Sequence, residues 1–200
     1  MVEDFKYDLI DNPTSFMCSK WLLDRVPHIF NNDLIAFIKW KEELADRLEI
    51  DSKSIVITGS ASCGFSLNPY KNYKEFDDSS DIDVAIVSEI HFDIAWRTLR
   101  NLGTKRYDLN AKQKASLNDH VDRLIYWGTV ATDKLLEILP FGKDWSLQLL
   151  EMSKLEPVNN KTLNVRLYKD YDALRSYNVA NLVNLKNKLF EIPEENGKLS

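Results

Sequence analysis

The chain is poor in cysteine: Cys18 and Cys63 stand alone, far apart and without a CxxC pair, so neither a disulfide framework nor a zinc cluster is indicated. Histidine is as sparse. His28, His91 and His120 are scattered without metal-ligand spacing and are assigned no role. No apolar run approaches membrane-spanning length, and the opening "MVEDFKYDLIDNP" lacks a basic region followed by an apolar one. Neither a membrane nor export is expected, and a cytoplasmic location is the default. Positive charge is not in excess either: 26 Lys and Arg against 31 Asp and Glu leave a formal charge of −5. That argues against a chain-wide basic surface for duplex DNA, while leaving room for a local basic groove.

What is present is an ordinary globular composition, 44% hydrophobic and 28% charged over 200 residues, enough to bury a substantial core. No internal repeat, low-complexity tract or interdomain linker interrupts it, so one domain is expected, with a core over about 30–170 and a C-terminal helix over about 170–191. Pro13 and the Ser/Thr residues near it predict a short helix ended before Pro27. A second helix is predicted with Asn32 as its N-cap and Leu34, Ile38, Ala45 and Leu48 on its buried face. "SIVIT" over 54–58 and "DIDVAIV" over 81–87 read as buried strands, with a short helix after Gly59 and a long loop before Asp81. Helical patterns then run from about 92 to 156, broken at Pro140. "KTLNVRLYK" over 161–169 alternates as a half-buried strand, a long helix follows from Tyr171, and "EENGKLS" over 194–200 reads as a frayed tail. The fold class is therefore α/β, a mixed sheet flanked by helices, with a helical C-terminal half.

Two short stretches carry the chemistry. "TGS" over 58–60 puts Gly59 and Ser60 directly after an apolar strand and before a helix, where backbone N–H groups face an anion and a glycine lets it approach. "SSDIDVAIV" sets Asp81 and Asp83 one residue apart, so an extended backbone sends both carboxylates off the same face. Two like charges side by side call for a cation, and Mg²⁺ takes a few carboxylates together with phosphate oxygens and water.

A strand ending in Gly-Ser followed by a second strand bearing Asp-apolar-Asp resembles the nucleotidyltransferase superfamily that includes DNA polymerase beta, in its small stand-alone prokaryotic type. The resemblance covers roughly residues 54–88. It implies that Gly59 and Ser60 contact a triphosphate and that Asp81 and Asp83 bind catalytic Mg²⁺, or Mn²⁺ in its place. The implied reaction moves a nucleoside monophosphate from an NTP or dNTP to an acceptor hydroxyl on a nucleotide, a nucleic-acid end or a protein. By analogy the setting is a toxin–antitoxin or antiphage defence system, with an effector or toxin as partner.

The superfamily commonly has a third carboxylate on a later strand, and here "LNVRLYK" offers Arg166 instead, with Asp170 and Asp172 just beyond. Arg166 suits a phosphate or a pairing with Asp81 or Asp83, and the bland alternative is a solvated strand-face arginine. The missing carboxylate favours the alternative function, a catalytically reduced nucleotide-binding or antitoxin-like module. For Ser60 the bland reading is a helix N-cap, and Cys63 reads as a packed residue. Lys105, Arg106, Lys112 and Lys114 are weighed as an acceptor groove against a solvated charged face. The five tryptophans are assigned to packing.

Overall fold

A computed structural model describes residues 1–190. Four strands form one mixed sheet: β1 (Ile55–Thr58), β2 (Ile82–Val87), β3 (Thr129–Ala131) and β4 (Leu163–Tyr168), in the order β1-β2-β4-β3. β2 runs antiparallel to β1 and parallel to β4, and β3 closes the far edge antiparallel to β4. Strand alternation then divides the two faces. Ile82, Val84 and Ile86 of β2 join Ile55, Ile57, Val165 and Leu167 in the main core.

Helices α3 (Leu34–Leu48), α5 (Glu89–Arg100) and α7 (Gly142–Ser153) supply the other half of that core, chiefly through Trp40, Leu44, Phe92, Trp145 and Leu149. The opposite face is covered by α8 (Tyr171–Phe190), whose Leu174 packs with Ala85, Val87 and Tyr168. Farther along, Leu182 and Leu185 of α8 join a separate core with Phe5, Leu9, Met17 and Trp21. Those residues come from α1 (Val2–Asp11), α2 (Thr14–Cys18) and the π turn Ser19–Leu23 that continues it. No described helix is long and apolar enough to cross a membrane.

Several expectations change. The cap of α3 is Asp33, whose carboxylate accepts from the Ala36 N–H at 2.9 Å, while Asn32 sits at φ +65° outside the helix. Its buried stripe is Trp40, Leu44, Ala45 and Leu48, whereas Leu34 is 52% and Ile38 38% exposed. At about 100° per residue Leu34 and Ile38 fall on either side of the buried Ala45, so their exposure reflects their place near the N-terminal end of the helix rather than the face they occupy. The run from 131 to 142 is not helical throughout. It starts in the last residue of β3 and passes through a 3₁₀ turn, Leu136–Ile138, before α7. α1 was not anticipated, although Phe5 and Leu9 at i, i+4 form its buried face. Within the helical run predicted from about 92 to 156, α6 (Ala111–Asp119) is followed by π and 3₁₀ turns up to Trp127, with Asn110 and Gln113 forming a capping box. The tail over 194–200 lies outside the described residues.

Candidate functional site

Thr58 stands opposite Asp83 in the β1–β2 pairing, and Asp83 opposite Asn164 in the β2–β4 pairing, so the three form a row across the sheet. Alternation puts Asp83, Ala85 and Val87 on the face that α8 covers. Ala85 and Val87 are buried under Leu174, but Asp83 lies beyond that contact and opens into a cleft. The chain leaves β1 through Gly59 at φ +63° and enters the short helix α4 (Gly59–Cys63). A Cβ at Gly59 would collide with the Asp83 Oδ2. The position needs glycine twice over, for its left-handed backbone and for the carboxylate lying against it. Residues 58–60 and 83, separate in sequence, thus make one floor.

The cleft encloses about 700 Å³, with Lys71, Arg123 and Arg166 supplying positive charge around that floor. Asp83 forms no ion pair or hydrogen bond through its carboxylate among the described residues. Although open to the cleft, it is surrounded by enough protein that burial raises its pKa, with Asp81 and Asp133 pushing the same way and Arg166 and Lys71 opposing. Arg166 projects from the same face of β4 as Asn164. Its Nη1 donates to the Tyr177 hydroxyl at 3.2 Å, and the guanidinium carbon lies 5.1 Å from that ring's centroid. It therefore influences Asp83 without pairing with either aspartate, and its half-buried position sets aside the solvated alternative. Arg123 is bound by two hydrogen bonds to Asp119, at 2.9 and 2.8 Å.

The remaining sequence candidates divide. Asp81 is exposed, one residue before β2, and stands outside the cleft wall while its charge reaches Asp83. Ser60 is inside α4, whose N-cap position is Thr58, which sets aside the bland alternative of an N-cap for Ser60. Ser60 lines the cleft, and its hydroxyl makes no hydrogen bond among the described residues. No carboxylate comes from β4: Asn164 occupies the place opposite Asp83. Asp170 is spent capping α8 through the Ala173 N–H at 2.8 Å, and Asp172 is exposed in the first turn. Asp133, just past β3, is an additional acidic group whose charge reaches Asp83.

The long loop lines the cleft from Ser66 to Lys71, and Lys71 is the one charged residue it contributes among the described residues. Asp77 is held well below the usual carboxylate range by Ser79 and Lys74, and Asp78 pairs with Lys161 at 3.1 Å. The cluster Lys105, Arg106, Lys112 and Lys114 lies away from the cleft wall. Lys114 donates to the Tyr107 carbonyl at 3.0 Å, and Arg106 faces the Tyr107 ring. Cys63 is buried, its thiol pushed up to about 12 by burial, which bears out packing over nucleophilic use. His91 packs on Phe141 and Trp145.

Sequence reading missed one wall of the cleft. Asn178, Asn181 and Asn184 of α8 line it together with Tyr177, opposite the Gly59 turn. The signal was available: asparagine recurs every third residue in "YNVANLVN", which keeps the amides along one flank of a helix. Arg123 had no such signal, because only the fold brings the turn after α6 to the cleft.

Among the described residues no group of three Asp, Glu, His or Cys side chains could hold a metal ion. The Asp83 carboxylate, without a partner among the described residues, is of a type that suits a hard divalent cation completed by substrate oxygens and water, with Asp81 on the same strand face but outside the cleft wall. Comparison with protein-family models, with curated proteins and with solved structures gives no match to this chain.

Proposed function

We propose that the chain is a Mg²⁺-dependent nucleotidyltransferase, taking a nucleoside triphosphate and moving its monophosphate to an acceptor hydroxyl of a nucleotide, a nucleic-acid end or a protein. The observation that carries this reading is the contact between the Gly59 backbone and the Asp83 carboxylate at the floor of a cation-lined cleft. An isolated carboxylate among cations suits a site completed by a metal and a polyphosphate, and an anionic substrate is drawn there by Lys71, Arg123 and Arg166.

In this reading the Gly59 turn and the Ser60 hydroxyl receive the phosphates, Asp81 and Asp83 hold the ion, and Arg166 neutralises charge from the β4 side. Mg²⁺ bound there would withdraw charge from the phosphate oxygens and favour loss of the acceptor proton. The acceptor oxygen bonds to the α-phosphorus as the bond to the β-bridging oxygen breaks. Pyrophosphate leaves with that electron pair, and the proton passes to water. The neutral amides of Asn181 and Asn184 suit the hydrogen-bonding edges of a base or sugar, since each offers donors and an acceptor.

The test is pyrophosphate release from each labelled triphosphate with Mg²⁺ or Mn²⁺, in the wild-type chain beside Asp83→Asn and Asp81→Asn. Release that requires the metal and falls to background in Asp83→Asn supports the proposal; equal release in both chains refutes it. Asn164 opposite Asp83 favours a second reading, a nucleotide-binding or antitoxin-like module working with an effector or toxin partner. Tight triphosphate binding without turnover would select it.

A further inference from the structure

A second cleft, of about 310 Å³, opens along the edge strand β1, with Ile55, Val56 and Ile57 in its wall just before the Thr58–Ser60 turn. Of the residues lining the Asp83 cleft it shares only Leu22. Four cations line it: Arg25 after the π turn, Lys41 of α3, Lys53 ahead of β1 and Arg175 of α8. Asp24 is the single carboxylate in the wall.

None of these four cations forms an ion pair among the described residues, although the chain carries more acidic than basic groups and pairs Lys20, Arg47, Arg97, Arg123 and Lys154 on its surface. Two are instead fixed by neutral partners. Arg175 donates to the Ser19 hydroxyl at 2.9 Å, and the Arg25 guanidinium carbon lies 5.4 Å from the Trp21 ring centroid. Lys41 is half-buried beside Phe37, and burial lowers its pKa, opposed by the nearby Asp51 and Glu42 and reinforced by Lys53. Four cations gathered in one concave site, none held in an ion pair among the described residues, favour an anion even with Asp24 in the wall and Asp51 and Glu42 near Lys41. Phe37, Pro27 and Leu23 make the rest of the wall apolar, and the volume is at the small end of ligand sites.

We propose that this cleft binds a small organic phosphate of about mononucleotide size, its phosphate held among Lys41, Lys53, Arg25 and Arg175 and its body laid on Phe37 and Pro27. The inference does not depend on the nucleotidyltransferase reading.

The test is calorimetric titration of the full chain with 5′-AMP in the presence of EDTA, with inorganic phosphate and adenosine as parallel titrants. We expect one AMP per chain, weaker binding of phosphate, and no measurable binding of adenosine. Lys41→Met, which keeps the stem against Phe37, and Lys53→Ala should each weaken AMP at least tenfold, while Arg166→Gln in the other cleft leaves it unchanged. Perturbation of the Val56 and Tyr171 amide resonances by AMP locates the site in the unaltered protein. Adenosine binding as tightly as AMP, loss of AMP binding in Arg166→Gln alone, or no phosphate binding at millimolar concentration would each overturn the proposal. So would single-stranded RNA binding that depends on Lys41 while AMP does not bind.

Discussion

Replacing Gly59 by alanine tests the link between the two halves of the floor, because the substitution carries two separable costs. The backbone at φ +63° disfavours any Cβ, by about 1–2 kcal/mol. The new Cβ also strikes the Asp83 carboxylate, and driving that side chain off its rotamer adds about 0.5–1.5 kcal/mol. Together the loss is about 1.5–3.5 kcal/mol. Gly103→Ala isolates the first cost, since Gly103 has φ +52° and nothing within 4 Å of an added Cβ.

The second cost is isolated by repeating Gly59→Ala in an Asp83→Ala background, which removes Oδ2 and Cγ and leaves only the Asp83 Cβ position, 3.5 Å away. There the penalty should fall to that of Gly103→Ala, giving a coupling of about 1 kcal/mol in a double-mutant cycle. Urea unfolding followed by tryptophan fluorescence measures all the arms. An equal cost for Gly59→Ala in both backgrounds, matching Gly103→Ala, would refute the contact. Pyrophosphate release should fall in Gly59→Ala alongside Asp83→Asn.

Three further outcomes are expected. Burial raises the Asp83 pKa in the fold, so the stability tied to its neutral form is full below the unfolded aspartate pKa and lost as pH rises through the raised value. Asp83→Asn should therefore unfold at higher urea than wild type at about pH 7 and at nearly the same urea at about pH 3, and equal midpoints at both would contradict the burial of that carboxylate. Asn181→Leu, at an exposed position of the α8 wall, should change stability by no more than about 0.5 kcal/mol while altering the ranking of the four triphosphates in competition binding. Cys18 and Cys63, with thiols raised to about 11 and about 12, should resist iodoacetamide in the native chain and react on unfolding, which mass spectrometry of the alkylated protein resolves.

The strands that build the floor were legible because β1, β2 and β4 are apolar or alternating runs long enough to set a period. β3 was not, since three residues, Thr129–Ala131, give no period and lead into a helix-forming run. The floor of the site was legible for a related reason: Gly59, Ser60 and Asp83 lie on or beside strands whose pairing is local. Its walls were hidden, because Arg123 comes from the turn that packs on β3 and Asn181 from α8, and only the folded chain brings them to one cleft. One helix N-cap was misplaced by a single residue: Asn32 yielded the cap of α3 to Asp33, whose carboxylate accepts from the Ala36 N–H.

Thr58 and Asp83 meet across 25 positions of chain, whereas the α8 wall is tied down by Leu182 and Leu185 against α1 and α2, and by Lys186, whose Nζ donates to the Ile10 carbonyl at 3.0 Å across 176 positions. Loop closure over so long a span delays its pairing in folding relative to the β1–β2 contact. Floor and wall are thus assembled on different schedules. A local opening that releases α8 would leave the carboxylate on its strand with the asparagine flank withdrawn, so amide exchange in α8 reports the fraction of molecules in which the site is incomplete.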